Sequence, residues 1–317
     1  MKAFRPGQRA IWAALAAEVV ALTLLTSSFG GEQSFTSSFL NWANISQVIR
    51  ALSFIAIMAV GQSAVIIAGG IDLAAGSVLG LSGVACALMV NHGYGILFSI
   101  VASLVVGTAC GTASGALVTK ARVPPFIATL AMMSIARGLA FAVSGGETVR
   151  NLPAQFLELG QGAMLGIPIP IVVMLVFAAL AGLTLALTAW GRYAYAVGGN
   201  EEAARYSGLD VGLIKIFVYS LSGFSAALAG VLFASRFGVG QSTAGLGYEL
   251  DVIAAAVIGG VSLSGGRGTV LGAVLGSVLM GILRNGLVLL NVSAYWQQVA
   301  IGCVILLAVL IDRRRVR

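Results

Sequence analysis

Residues able to do ionic or acid–base chemistry are scarce in this chain. Eighteen basic and eleven acidic side chains make up 9% of 317 residues, with one histidine and three cysteines. Inside apolar runs the candidates are Asp72, Arg137 and Asn285. Asp72 follows a Gly-Gly-Ile turn, where a carboxylate either caps the next helix, worth about 1 kcal/mol, or faces a solute path. Arg137 lies deep in an apolar segment, and a bare guanidinium there costs several kcal/mol unless a partner ion or a wet cavity receives it. Asn285 and its neighbour Arg284 fall in the outer half of another apolar run, where an arginine can snorkel and Asn285 is a path candidate. Glu18 is expected to snorkel or pair with a neighbouring helix. Glu249 and Asp251 open a helix whose dipole favours carboxylates. No ladder of acids emerges, which weighs against proton or sodium coupling.

Hydrolysis has no foothold. The phosphate-binding pattern GxxxxGK followed by Ser or Thr does not occur, and the nearest cluster, GGRGT at 265–269, lacks the lysine. There is no HExxH. The one histidine, His92, sits in a polar turn, and Cys86, Cys110 and Cys303 lie in apolar runs without metal-ligand spacing, as small core residues would. If the protein pumps, the energy comes from an ion gradient or a partner.

A different kind of candidate is GRYAYAVGGNEEAARYSGLDV, 191–211, which holds five of the charged residues in 21 positions. Asn200 is a good N-cap, Glu201 and Glu202 then fall in the first turn, and Gly208 can end the helix in the left-handed conformation. The expectation is about two turns, Glu201 to Ser207, bounded by Gly198-Gly199 and Gly208. Ala203 and Ala204 offer a small-residue patch, and Arg205 completes the segment. An ordinary solvated connector has the same signature. The lack of any ATP-hydrolysing motif favours a docking helix for a partner.

These residues are positioned by apolar helices. The composition is 59% hydrophobic with a mean hydropathy of +1.00, and a soluble domain this long needs far more charge on its surface. Apolar runs near twenty residues can cross a bilayer core of about 30 Å. They fall at about 11–29, 49–68, 73–91, 95–118, 125–143, 167–189, 213–235, 250–264, 269–290 and 295–311. The fold class is therefore all-α: a polytopic membrane protein of about ten spans, one transmembrane domain over 1–317. The eighth run is short, and 41–47 could be a separate surface or re-entrant helix. The basic first residues followed by an apolar run resemble a signal peptide, but no small-x-small site follows, so an uncleaved first span is expected.

With an even span count and both termini cytoplasmic, thirteen of the eighteen basic residues fall inside, including Lys2, Arg5, Arg9, Arg313, Arg314, Arg315 and Arg317. Only Arg50, Arg150 and Arg236 fall outside, and an odd count would break this bias. The loop at about 190–213 is then the longest on the cytoplasmic side. The basic residues form no stripe interleaved with aromatics, which argues against nucleic acid.

Glycine is abundant, at 42 residues. GTACGTASG, 107–115, spaces small residues for close helix packing. GGIDLAAGSVLG (69–80) and GGVSLSGGRGTVLG (259–272) match after a two-residue insertion, suggesting internal repetition of broken helices or tight turns at a membrane boundary.

Five segments in order resemble the permease subunits of bacterial ATP-binding-cassette importers for monosaccharides, the ribose-type branch in particular. They are GGIDLAAGS (69–77), RVPPFIATLAMMSIARGLA (122–140), the 191–211 stretch, YELDVIAAAVIGGVSLSGGRGTVLG (248–272) and RNGLVLLNVSAYWQQV (284–299). The resemblance implies a ten-span permease of the bacterial inner membrane, paired with a second permease copy and working in membrane lipid. It implies a cytoplasmic ATPase subunit that binds ATP and Mg, so the permease itself carries no cofactor. It also implies a periplasmic sugar-binding protein that delivers a monosaccharide, ribose or similar. The segment Asn200–Gly208 is similar to the coupling helix that receives the ATPase's motion. Ala74-Ala75 stand where ribose-type members commonly read Ser-Val, which bears on the substrate. Two other classes stay open on the residues alone: an ion-driven secondary carrier or facilitator for a small polar solute, and an intramembrane enzyme, which lacks a paired nucleophile and base.

Overall fold

The computed structural model describes residues 6–29 and 35–316; Lys2, Arg5 and Arg317 lie outside them. The helices in order are α1 (Pro6–Leu25), α2 (Trp42–Ile67), α3 (Ala75–Asn91), α4 (Ile96–Thr119), α5 (Pro125–Ser144), α6 (Ala154–Gln161), α7 (Ile169–Leu187), α8 (Ala189–Gly199), α9 (Glu201–Tyr206), α10 (Val211–Phe237), α11 (Tyr248–Ile258), α12 (Val270–Leu289) and α13 (Ala294–Val316). Two small antiparallel ribbons, Ser27–Phe29 with Phe35–Ser37 and Ala163–Met164 with Ile167–Pro168, complete the described fold. The fold is a polytopic helical membrane protein. Among the described residues six helices (α2, α4, α5, α7, α10 and α12) are long and apolar enough to cross a bilayer, and shorter apolar helices lie at Ile11–Leu25, Ala75–Asn91 and Ala294–Leu307.

Punctuation in the sequence sets the boundaries. Pro124-Pro125 and Pro168 with Pro170 start α5 and α7, where a missing N–H costs nothing. Left-handed Gly145 and Gly238 end α5 and α10. The Asn41 side chain caps α2 at Ala43 N, so 41–47 is the first turn of that span and not a separate helix.

α2 is buried along its whole length from Leu52 to Ile67, which suits a helix apolar on every side. α10 packs on it together with α12, α11 and α7, while α3 and α4 pack on α10 and α5 on α3, with α1 on α12 and α13 on α11. The glycine run of α4 works as its spacing predicts. A Cβ on Gly223 of α10 would stand 2.2 Å from the Gly107 carbonyl oxygen, and one on Gly111 2.2 Å from that of Tyr219. The outer helices keep Leu97, Phe98, Val105, Leu175, Leu180 and Leu306 exposed, as lipid-facing side chains would be.

Three spans differ from their sequence windows. Residues 27–29 leave the first run to pair in a ribbon, and the last helix continues through the basic segment to Val316. The eighth run departs most. Its helix covers only eleven residues, roughly 16 Å, about half a bilayer core. The segment before it, 238–247, descends along α3 without regular helix. A Cβ on Gly240 would touch Ala87, one on Gly80 lies 2.9 Å from the Ala244 carbonyl oxygen, and the Gly245 carbonyl oxygen sits 2.2 Å from a Cβ on Gly76. Those α3 positions span roughly 16 Å of helix rise. α11 is therefore the helical half of an interrupted span. Window hydropathy misses this because Gln241, Ser242 and Thr243 take the unwound half out of the apolar run, which starts only at 250.

Candidate functional site

The α7–α10 connection folds as an elbow. Thr188 caps α8 at Gly191 N, and α8 runs to Gly199, so Gly198-Gly199 end a helix instead of flanking an isolated one. Asn200 then turns the chain with extended backbone. Its side-chain oxygen accepts from Ala203 N at 2.9 Å, starting α9 where the sequence places it. Gly208, φ +82°, closes the helix as its N–H reaches Arg205 O, and Leu209 N reaches Ala204 O. Ser207 donates its hydroxyl back to Ala203 O. Asp210 caps α10 at Leu213 N.

The side chains of α9 divide into two sets. Glu201 is committed within the chain, to Arg205 at 3.2 Å and Lys215 at 2.6 Å. Ala204 is buried in the chain's own core, so it cannot belong to a partner-facing patch with Ala203. Glu202, Ala203 and Tyr206 share the outward face, with Tyr206 86% exposed. Among the described residues no ion pair engages Glu202. Tyr206 is the residue the sequence reading passed over, although its place four after Glu202 puts it on the same helical face. A carboxylate, a methyl and a projecting phenol on one short rigid helix form a knob that another protein's groove can hold. Beside it a polar cleft is lined by Arg122, Pro125, Arg205 and Lys215.

The intramembrane candidates fall into three separate networks. Asp72 is buried in the turn between α2 and α3. One carboxylate oxygen accepts from Ala74 N at 2.8 Å and the other from the Ser222 hydroxyl at 2.7 Å. Its bond to Ala74 N makes a turn ahead of α3, whose own N-cap is Ala74 without a side-chain cap, so Asp72 braces the turn and does not cap the helix. Tyr219 and Thr129 both donate to the adjacent Ile71 carbonyl, each at 3.3 Å.

Arg137 stands roughly 18 Å along α5 from Pro125, near mid-membrane. Among the described residues it forms no ion pair and grips backbone: one guanidinium nitrogen donates to the carbonyls of Ser242 and of Ala244, the latter at 2.7 Å. Those carbonyls are free because 238–247 is unwound, and non-helical backbone at membrane depth must find such donors. Ser242 adds hydroxyl contacts to Ser144 and Ala140. Below this grip the first turn of α11 holds Glu249, whose Oε2 is shielded with no hydrogen-bond partner among the described residues.

Asn285 exchanges paired amide bonds with Asn44 at 3.0 and 2.8 Å, tying α12 to the start of α2. Arg284 forms a 2.8 Å ion pair with buried Asp251 and does not simply snorkel. Glu18, expected to snorkel or pair, has one oxygen shielded and no partner for it among the described residues. Cys86 and Cys110 are buried as expected, whereas Cys303 is exposed. Among the described residues no cluster of three or more His, Cys, Asp or Glu could hold a metal ion.

Residues 44–309 match the family described as the permease component of the branched-chain amino acid transport system. The chain is 43% identical over 286 residues to the ribose import permease of Escherichia coli K12, covering 89% of each protein. Identity to the ribose import permease of Haemophilus influenzae is 45%, over 86% of each. To the L-arabinose ABC transporter permease of Azospirillum brasilense it is 38%, over 87% of this chain and 82% of the relative. The autoinducer 2 import permease of Yersinia enterocolitica is 37% identical over 87% of this chain and 77% of its own length.

Proposed function

The chain belongs to this family of transport-system permease components, and on that premise we propose that it is the membrane-spanning subunit of an ATP-driven sugar importer in the bacterial inner membrane, carrying ribose or a similar monosaccharide. It is a transport subunit, not an enzyme. Two copies enclose the path, a periplasmic binding protein delivers the sugar, and a separate ATPase holds ATP and Mg on the cytoplasmic side. A single transmembrane domain carries all of this chain's part. The end of the bundle that bears α9 faces the cytoplasm, with both termini. Lys120, Arg122, Arg192, Arg205, Lys215 and Arg267 gather at that end, as the positive-inside bias requires.

The observation that carries the coupling role is α9 itself. It is short, capped at both ends by its own residues, and presents Glu202, Ala203 and Tyr206 outward while Glu201 and Ala204 anchor it inward. ATP binding draws the two ATPase domains together, and helices docked in them convert that motion into rocking of the spans, a shear between packed helices. A neutral, polyhydroxylated cargo asks for hydrogen-bonding groups more than charges. Arg137 with the unwound 242–245 backbone is the part of the span interior that offers both, while Asp72 and Asn285 support the walls of the path.

Reconstitution tests the proposal. Vesicles holding the purified chain, its ATPase and the sugar-loaded binding protein should take up ribose only with ATP present. Uptake by the chain alone would favour the facilitator reading instead. The ligand that co-purifies with the binding protein identifies the sugar.

A further inference from the structure

The second of the two matching glycine segments, 259–272, meets the end of α2 just ahead of the first, 69–80, and the end of α8 is wedged between them. The Ile67 carbonyl at the end of α2 accepts from Gly266 N at 2.8 Å. A Cβ on Gly198 would stand 1.7 Å from that same carbonyl oxygen and 2.7 Å from Gly266 N. One on Gly265 would lie 2.5 Å from Gly198 O, and one on Gly266 2.8 Å from the Gly199 α-carbon. One turn earlier, the Tyr195 hydroxyl donates to Gly268 O at 2.9 Å. Three backbones touch here with no side chain between them. Such a junction has no rotamers to absorb a displacement, and close-packed interiors pass strain on instead of yielding. Gly199 next door is different: a Cβ there meets nothing within 4 Å.

We infer that Gly198, seated on Ile67 and Gly266, is a positioning residue of transport: it passes displacement of α9 through α8 to the α2–α3 and α11–α12 turns together. The inference rests on the coupling role of α9. From the first turn the line continues up α3, where Gly76 and Gly80 lie against the Gly245 and Ala244 carbonyls. That is the unwound backbone Arg137 grips. From the second turn it enters the lower end of α11, which Gly259 and Gly276 press against α12: a Cβ on Gly259 would be 2.1 Å from Gly272 O, and one on Gly276 1.9 Å from Ala255 O. One motion at α8 thus reaches both ends of the interrupted span. The second motif supplies one of the surfaces that this requires, through Gly265 and Gly266, and the Ile67 main chain at the end of α2 supplies the other.

The test uses the assembled importer in vesicles with ribose as probe, and reads sugar moved per ATP hydrolysed beside ATPase binding. Gly198→Ala is expected to lower that ratio roughly tenfold, within the usual range for coupling between sites, while ATPase binding is retained. Tyr195→Phe, which removes one hydrogen bond without adding bulk, should lower it roughly threefold. Gly199→Ala should match wild type. A wild-type ratio for Gly198→Ala overturns the inference. If that variant does not assemble, Tyr195→Phe decides, and an unchanged ratio overturns it equally. Wild-type uptake by Glu202→Arg would remove the coupling role itself. Loss in Glu202→Arg with wild-type ratios in Gly198→Ala and Tyr195→Phe removes only the relay.

Discussion

Two charged islands interrupt this apolar chain, and they solve opposite problems. At the elbow, Glu201, Glu202, Arg205 and Lys215 surround a six-residue helix whose ends are closed by local side chains. There water is at hand, and an ion pair contributes little because solvent competes for both partners. At the interrupted span, Arg137, Glu249, Asp251 and Arg284 surround a helix start within the membrane. There each unmade hydrogen bond keeps its full cost, so a single nitrogen of Arg137 holds two main-chain carbonyls. The lesson is that the elbow can leave a charge outside its ion pairs, as it does with Glu202 among the described residues. The interior spends Arg137 on its own backbone and pairs Arg284 with Asp251.

The comparison breaks most visibly at Arg137. Arg137→Met leaves two membrane-embedded carbonyls without their donor, at roughly 1–3 kcal/mol each, so uptake and detergent melting temperature should both fall steeply. Arg137→Lys should recover part of both, since an ammonium can still donate to a carbonyl. Near-wild-type melting of the Met variant would show that the grip is dispensable. Glu202→Arg should act in the opposite sense. A substitution at such an exposed site stays within about 0.5 kcal/mol of wild-type stability, so melting should hold while ATP-driven uptake collapses. Unchanged uptake by a normally inserted variant would count against docking through α9. Asn200→Ala removes the cap of α9 and should weaken that helix by about 1 kcal/mol. The readout is faster amide exchange over 201–206 together with a partial loss of uptake. The smallest effect belongs to Glu201→Gln, which loses two partly exposed ion pairs worth at most about 1 kcal/mol. Its uptake defect should shrink further in high salt.

The elbow was legible because its determinants are local. Asn200 reaches Ala203 three residues on, and Gly208 needs only its own φ, so the caps can be read from a short string. α8 was not, because Gly198-Gly199 read as a breaker while tertiary seating keeps both in the helix. The spans were legible from apolar length, with α11 the exception. Hydropathy finds a short run at 250–264 and is blind to an unwound stretch such as 238–247 that completes the crossing. The partners of Asp72, Arg137 and Asn285 were illegible for another reason. Ser222 lies 150 residues from Asp72, and Asn44 lies 241 from Asn285. For Arg137 the partner is main chain, which leaves no mark of residue type at all.

That last feature bears on how the sequence can drift. A carbonyl is present whatever amino acid occupies position 244, so the grip of Arg137 is indifferent to side-chain identity there, size beside Gly80 apart. The side chains of the interruption can therefore change while the arginine stays and the unwound segment remains pinned. Anchoring by main chain separates the side chains that can be retuned from the contact that must hold.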